Sequence, residues 1–195
     1  MKNITHDWHL IQQLNENWVY ADNIFTSEEC KGIIDNFKNK IETGNIAEQE
    51  KLKEIRQSKI HFINSNDLSN HWIFEKITDV VLFLNQQYFN FEIEKIETLQ
   101  FSEYDESYKG FYEKHIDIIH RSANFRKLSF TILLSEPEDY DGGELLLHYD
   151  IEPAKTKQAQ GGIVMFPSYT LHEVSPVTKG TRYALVGWVC GPKFK

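Results

Sequence analysis

The chain has 195 residues, a mass of 23.0 kDa, and 41% hydrophobic and 13% aromatic residues, which suits one domain with a real core and excludes a disordered or low-complexity polymer. Lys and Arg number 21 against 29 Asp and Glu, a formal charge of −8 that repels phosphate backbones and disfavours a nucleic-acid partner. No run approaches the ~20 apolar residues that cross a bilayer, the start lacks the apolar stretch of a secretory signal, and Cys30 and Cys190 form neither a ligand cluster nor a disulfide framework; together these point to a soluble cytoplasmic protein with no membrane partner.

No internal repeat or Pro/Gly/Ser-rich linker divides the chain, so residues 1–195 read as one domain: 1–91 mostly helical support with N-terminal strands, 92–195 a β-rich core. Thr26 and Glu29 have the spacing of a capping box. Cys30, Ile33, Ile34, Phe37 and Ile41 then mark one face of a helix. The Glu42–Gln57 segment, rich in Glu, Gln and Lys, reads as a solvated face or a flap over a site. A second helix starts near Asp67 or Ser69 and carries Ile73, Ile77, Val80, Val81, Leu84 and Tyr88; Phe74, Leu82 and Phe83 make it apolar nearly all round, which predicts burial. Strands are predicted at Ile96–Tyr104, Gly110–Asp117, Lys127–Ser135, Glu144–Tyr149, Gly162–Phe166, Leu171–Ser175 and Thr181–Cys190, separated by turn signals that include Asp141-Gly142-Gly143 and Lys179-Gly180. So many short strands predict a mainly β fold with flanking helices, a sandwich or jelly roll.

Most of the eight histidines, His6, His9 and His71 among them, need no special role. His115 and Asp117 differ, because residues i and i+2 of a strand share a face and bring an imidazole and a carboxylate to one point. His172 supplies a third donor. Two imidazoles and a carboxylate leave open positions that suit Fe(II) with a chelating co-substrate and O₂, whereas zinc is more often closed by a fourth protein ligand. Arg182 follows ten residues after His172, across the Lys179-Gly180 turn. Its guanidinium can clamp a carboxylate bidentately, or it can form a surface salt bridge. In Lys127–Ser135, Leu128, Phe130, Ile132 and Leu134 form a core face, and Ser129, Thr131 and Leu133 a face that lines a pocket or meets solvent.

His115-Ile116-Asp117, the distal His172 and Arg182 resemble the signature of the Fe(II)- and 2-oxoglutarate-dependent dioxygenases, within which the chain looks like the prolyl 4-hydroxylase-like branch of bacterial and phage type. The resemblance runs from Arg56 to Trp188. It rests further on Arg56-Gln57-Ser58, Leu99–Tyr104, Tyr112, Arg126–Ser129 with Leu133-Leu134-Ser135, and Tyr140–Leu145. It implies a double-stranded β-helix (a jelly roll) with Fe(II) on His115, Asp117 and His172. It implies 2-oxoglutarate held by Arg182, assisted by Tyr104 or Thr131, with Val174 and Trp188 in the pocket. It implies O₂ as oxidant, ascorbate as a further cofactor to be tested, and hydroxylation of a prolyl residue in a peptide or protein with release of succinate and CO₂. Two alternatives stay open: hydroxylation of a free amino acid or other small molecule, with Arg121, Arg126 and His120 as anchors or mere rim residues, and a non-catalytic metal-binding jelly-roll module.

Overall fold

The computed structural model describes residues 16–43, 55–118, 125–157 and 159–194. The expectations placed on His6, His9, His120, Arg121 and most of Glu42–Gln57 lie outside the described residues. Along the chain come β1 (Val19–Ala21), α1 (Ser27–Phe37), β2 (Glu42–Thr43), β3 (Arg56–Gln57), β4 (Lys59–Ile63), α2 (His71–Leu84), β5 (Lys95–Ile96), β6 (Leu99–Asp105) and β7 (Phe111–His115). The remainder is β8 (Phe125–Leu133), β9 (Tyr140–Gly142), β10 (Leu145–His148), β11 (Ala154–Lys155), β12 (Ile163–Pro167), β13 (Leu171–Val174) and β14 (Val177–Gly191).

The capping box forms: Thr26 N–H donates to the Glu29 carboxylate at 2.9 Å, and Glu29 N–H donates to Thr26 Oγ1 at 3.2 Å. The helix ends at Phe37, so Ile41 meets the core from beyond it. Helix α2 corrects the expectation of burial. Ile73, Ile77, Val81 and Leu84 face the core, but Leu82 is 53% and Phe83 58% exposed. The helix lies on the outside of the larger sheet, so its far side meets no other described element. Past Leu84 the backbone takes a wider turn over Asn85–Phe89, which shifts the buried face by one residue. Phe89 therefore enters the core and Tyr88, expected there, does not. Asn85 fixes this exit by exchanging two hydrogen bonds with the backbone of Phe91.

Two antiparallel sheets stack. The larger runs β1-β12-β8-β14-β6-β4-β2, with β5 and β9 also paired to β14; the smaller runs β11-β10-β13-β7-β3. Strand alternation assigns the faces of the larger sheet. Leu99 and Phe101 of β6, Leu128, Phe130 and Ile132 of β8, Ile163 and Met165 of β12, and Leu185 and Val189 of β14 join α1 and α2 in the main core. Tyr104, Val164 and Phe166 turn the other way and meet Leu145, Leu147 and Val174 of the smaller sheet. The predicted faces of Lys127–Ser135 are thus assigned: Leu128, Phe130, Ile132 and Leu134 pack in the main core, and Ser129 and Thr131 face the space between sheets.

One predicted turn is absent. Lys179 and Gly180 lie inside β14, which runs unbroken from pairing with β9 to pairing with β6 and β8. Gly180 explains the misreading. Its φ of +70° bends the strand at the handover, and a Cβ there would stand 2.1 Å from the Asp139 carbonyl oxygen.

Candidate active site

His115 closes β7 and His172 lies in β13, and the two are cross-strand partners. A register irregularity next to this pair lets Tyr112 share a side with His115. The Tyr112 ring lies on the imidazole at 3.6 Å between centroids, and the Arg56 guanidinium lies over the Tyr112 ring at 4.6 Å. Asp117 lies beyond the end of β7, so the pair is not two rungs of one ladder strand, as the sequence suggested. Its backbone is held instead by an N–H donated to the Ser168 carbonyl at 2.9 Å. The side chains still converge. His115 Nε2 is 3.7 Å from Asp117 Oδ1, and His172 Nε2 is 3.4 Å from Asp117 Oδ2. One donor atom from each residue lies within 4.8 Å of the others.

Backbone carbonyls set the imidazoles. His115 Nδ1 lies 2.7 Å from Glu113 O, and His172 Nδ1 2.9 Å from Thr170 O. A carbonyl only accepts, so both Nδ1 atoms carry the proton and each Nε2 faces the carboxylate. Burial first, and the neighbouring His172 second, push the His115 pKa down from 6.5 to about 4, so this ring is neutral near pH 7. Asp117 is 8% exposed and accepts from Ser129 Oγ at 2.7 Å, while Ser129 Oγ also meets Ser168 Oγ at 3.0 Å. Lone pairs and a buried carboxylate gathered at one point repel unless a cation joins them. The donor set therefore fits a divalent metal, with outer partners that fix each ligand.

A pH dependence follows. A histidine whose folded pKa is depressed favours the fold fully above its unfolded value and loses that contribution as pH falls through the folded one. The melting temperature of the metal-free protein is expected to drop between pH 6.5 and about 4, and to drop less in His115→Gln. Calorimetry across that range checks both.

Arg182 stands opposite Tyr104 in the β14–β6 ladder and is 1% exposed, which removes the surface salt-bridge reading. Its guanidinium lies 5.5 Å from the Tyr104 ring centroid. The chain makes room for it at Gly143, where φ is +62° and a Cβ would approach Arg182 Cδ to 2.7 Å. Gly143→Ala is expected to cost about 1–3 kcal/mol of stability through backbone strain and to displace Arg182; a thermal melt with a co-substrate titration measures both. Thr131 faces the same space beside Val164, Val174 is buried across it, and Trp188 pairs with Ser129.

Sequence reasoning missed the outer partners. Ser129 was legible only as a face-mate of Thr131, and Ser168 carried no signal. Arg126 was considered as an anchor or rim residue. It stacks on Trp188 at 3.8 Å and donates Nε–H to Glu97 at 2.9 Å, with Nη1 3.5 Å from the Asp117 carbonyl oxygen. Trp188 Nε1 and Arg56 Nη2 are buried N–H groups with no hydrogen-bond partner among the described residues, donors left over for a ligand. Trp188 and Arg126 also line a cleft of about 610 Å³, together with Phe62, Lys95, Glu97 and Thr98 among others.

A family model described as the 2OG-Fe(II) oxygenase superfamily matches residues 99–190, the stretch that carries the triad and Arg182. Residues 99–190 are thus similar to that superfamily. The chain is 46% identical over 78 residues to a PKHD-type hydroxylase of Prochlorococcus marinus, covering 40% of the chain and 35% of that protein. A PKHD-type hydroxylase of Gloeothece citriformis is 42% identical over 97 residues, covering 49% of the chain and 43% of the relative. The chain thus spans well under half the length of these curated relatives. Among solved structures, a Pseudomonas putida prolyl-4-hydroxylase superposes with a TM-score of 0.71 at 20% identity, covering 91% of this chain and 94% of the other. A Trichoplax adhaerens prolyl hydroxylase, solved with a hypoxia inducible factor peptide fragment, gives 0.73 at 20% identity, covering 89% and 83%. These likenesses establish the jelly-roll fold expected from the sequence.

Proposed function

We propose that this protein is an Fe(II)- and 2-oxoglutarate-dependent dioxygenase, one domain over residues 1–195, that hydroxylates a prolyl residue of a peptide or protein. One observation carries the reading: the His115, Asp117 and His172 donors meet in the same inter-sheet space that receives the buried Arg182 guanidinium. His115, Asp117 and His172 hold the metal. Arg182 pairs with a carboxylate of 2-oxoglutarate, whose charge would otherwise be buried alone, and Tyr104 and Thr131 flank it. Val174 and Trp188 wall the pocket and exclude water. When bound, Fe(II) with 2-oxoglutarate and O₂ supplies the oxidation that places a hydroxyl on a C–H carbon and leaves succinate and CO₂.

The peptide reading is favoured over the free amino acid by the cleft. It shares Trp188 with the pocket and Arg126 with the Asp117 backbone, and its wall includes Phe62, 54% exposed, so an open surface for an extended chain adjoins the site. Arg126, the one suggested small-molecule anchor among the described residues, is already paired with Glu97. The prolyl hydroxylases named above support the same substrate class. The acidic balance argues against a nucleic-acid substrate. The cytoplasm as compartment, and ascorbate as the reductant that keeps the iron ferrous, complete the reading.

The test is succinate formation with Fe(II) and 2-oxoglutarate across a panel of proline-containing peptides, free proline and other free amino acids, with and without ascorbate. A peptide gaining one oxygen atom is the expected result. Turnover confined to free amino acids would move the substrate to small molecules. Tight zinc binding with no 2-oxoglutarate-dependent O₂ uptake would leave a binding module.

A further inference from the structure

Phe194 lies beyond β14, and its ring fills a gap between three parts of the molecule. It meets Phe91 at 5.1 Å, Phe125 at 5.6 Å and Tyr169 at 6.0 Å between centroids, all edge-on, and Lys127 Nζ sits 3.7 Å over its centre. Phe91 packs against the main core and is fixed scaffold. Each of the other contacts leads toward the metal donors. Tyr169 is the middle residue of Ser168–Thr170. The Ser168 carbonyl holds the Asp117 N–H, the Thr170 carbonyl holds His172 Nδ1, and Ser168 Oγ reaches Asp117 through Ser129. The Lys127 carbonyl accepts from Ser168 N–H at 3.0 Å, so the residue stacked on Phe194 also holds the turn. Phe125 opens β8, two residues before Lys127.

The Ser168–Thr170 turn therefore positions two of the three donors, and Tyr169 has its ring against Phe194. Tyr169 is 53% exposed and Phe194 43% exposed, so this side of the turn has few other neighbours to hold it. Lys127, by contrast, is 3% exposed, and a buried ammonium over an aromatic face resists sideways motion.

We infer that Phe194 is a positioning residue for the metal site: it braces the Ser168–Thr170 turn, through Tyr169 and Lys127, so that Asp117 and His172 stay at coordinating distance. The inference rests on the reading of His115, Asp117 and His172 as metal ligands. Its effect belongs to metal affinity, since outer partners of ligands tune affinity about 10–100-fold.

The experiment titrates Co(II) into the metal-free full chain and reads its visible absorption, for the unmodified protein, Phe194→Ala, Phe194→Tyr and Asp117→Ala. Thermal melts of the metal-free forms run in parallel. Phe194→Ala is expected to bind Co(II) about 10-fold more weakly, near the low end of that range because Phe194 acts through the turn. Phe194→Tyr, which keeps the ring, is expected to bind as the unmodified protein does. Equal affinity in Phe194→Ala overturns the inference, whatever its melting temperature. Should that variant fail to fold, Phe194→Leu keeps apolar volume without the aromatic face, and equal affinity there overturns it too. Failure of the ligand assignment looks different: the unmodified protein then binds no Co(II), or Asp117→Ala binds it equally well, and the brace falls with the site.

Discussion

Asp117→Ala is expected to abolish metal binding and 2-oxoglutarate turnover together while leaving the fold intact. The carboxylate is the only anionic member of the triad, so its removal leaves two neutral imidazoles to hold a dication. The loss of affinity is expected to exceed the 10–100-fold typical of outer partners. Stability should move the other way. In the metal-free protein the carboxylate is buried, 8% exposed, with Ser129 Oγ donating to it at 2.7 Å, and burying a charge in this way costs free energy. Ser129 Oγ keeps Ser168 Oγ as partner when Asp117 is gone. The melting temperature of the metal-free variant is therefore expected to equal or exceed that of the unmodified protein. Metal titration, a succinate assay and a thermal melt check the three parts. An iron-loaded, fully active Asp117→Ala protein would end the triad assignment.

Arg182→Ala is expected to separate the co-substrate from the metal. The guanidinium is 1% exposed, so a carboxylate bound to it gains from charge, low local dielectric and two parallel hydrogen bonds at once. Removing one partner of such a buried pair costs about 3–5 kcal/mol, which is roughly 10²–10³-fold or more in 2-oxoglutarate affinity. The metal affinity should stay the same, because Arg182 supplies no donor to it. Arg182→Lys is expected to fall between, since an ammonium keeps the charge and loses the planar fork. Calorimetric titration of 2-oxoglutarate into the metal-loaded protein without O₂ reads this directly; unchanged affinity in Arg182→Ala would remove the clamp from the mechanism.

The residues that carry these effects differ in how legible they were. His115 and Asp117 are close in sequence, but β7 stops at His115, so their convergence also depends on the Ser168 carbonyl that holds the Asp117 N–H. His172 and Arg182 were candidates by residue type and by resemblance, and only cross-strand register brings His172 beside His115. The burial of Arg182 was not legible, because the same residue on the other face of β14 would stand with Leu185 against the helices. Ser168 shows the limit most plainly. Nothing in Pro167-Ser168-Tyr169 marks it, yet its carbonyl and hydroxyl both reach toward Asp117. The misjudged burial of α2 has the same origin. Composition counts apolar residues around a helix but carries no record of which side has a partner.

By itself the sequence determined the mainly β character, the Thr26–Glu29 capping box, the alternation that divides Leu128–Leu134 between two faces, and the residue types able to bind a metal and a carboxylate. All of these depend on backbone periodicity and side-chain chemistry within a few residues. Only the tertiary structure decided that the larger sheet wraps so that Arg182, Thr131, Trp188 and Ser129 share one space with His115, Asp117 and His172, and that Phe194 closes behind the turn that holds two of them. Those meetings join residues far apart in the chain through sheet order, register and one positive-φ glycine in β14, and such long-range pairing is settled by packing of the whole molecule rather than by any local run of residues.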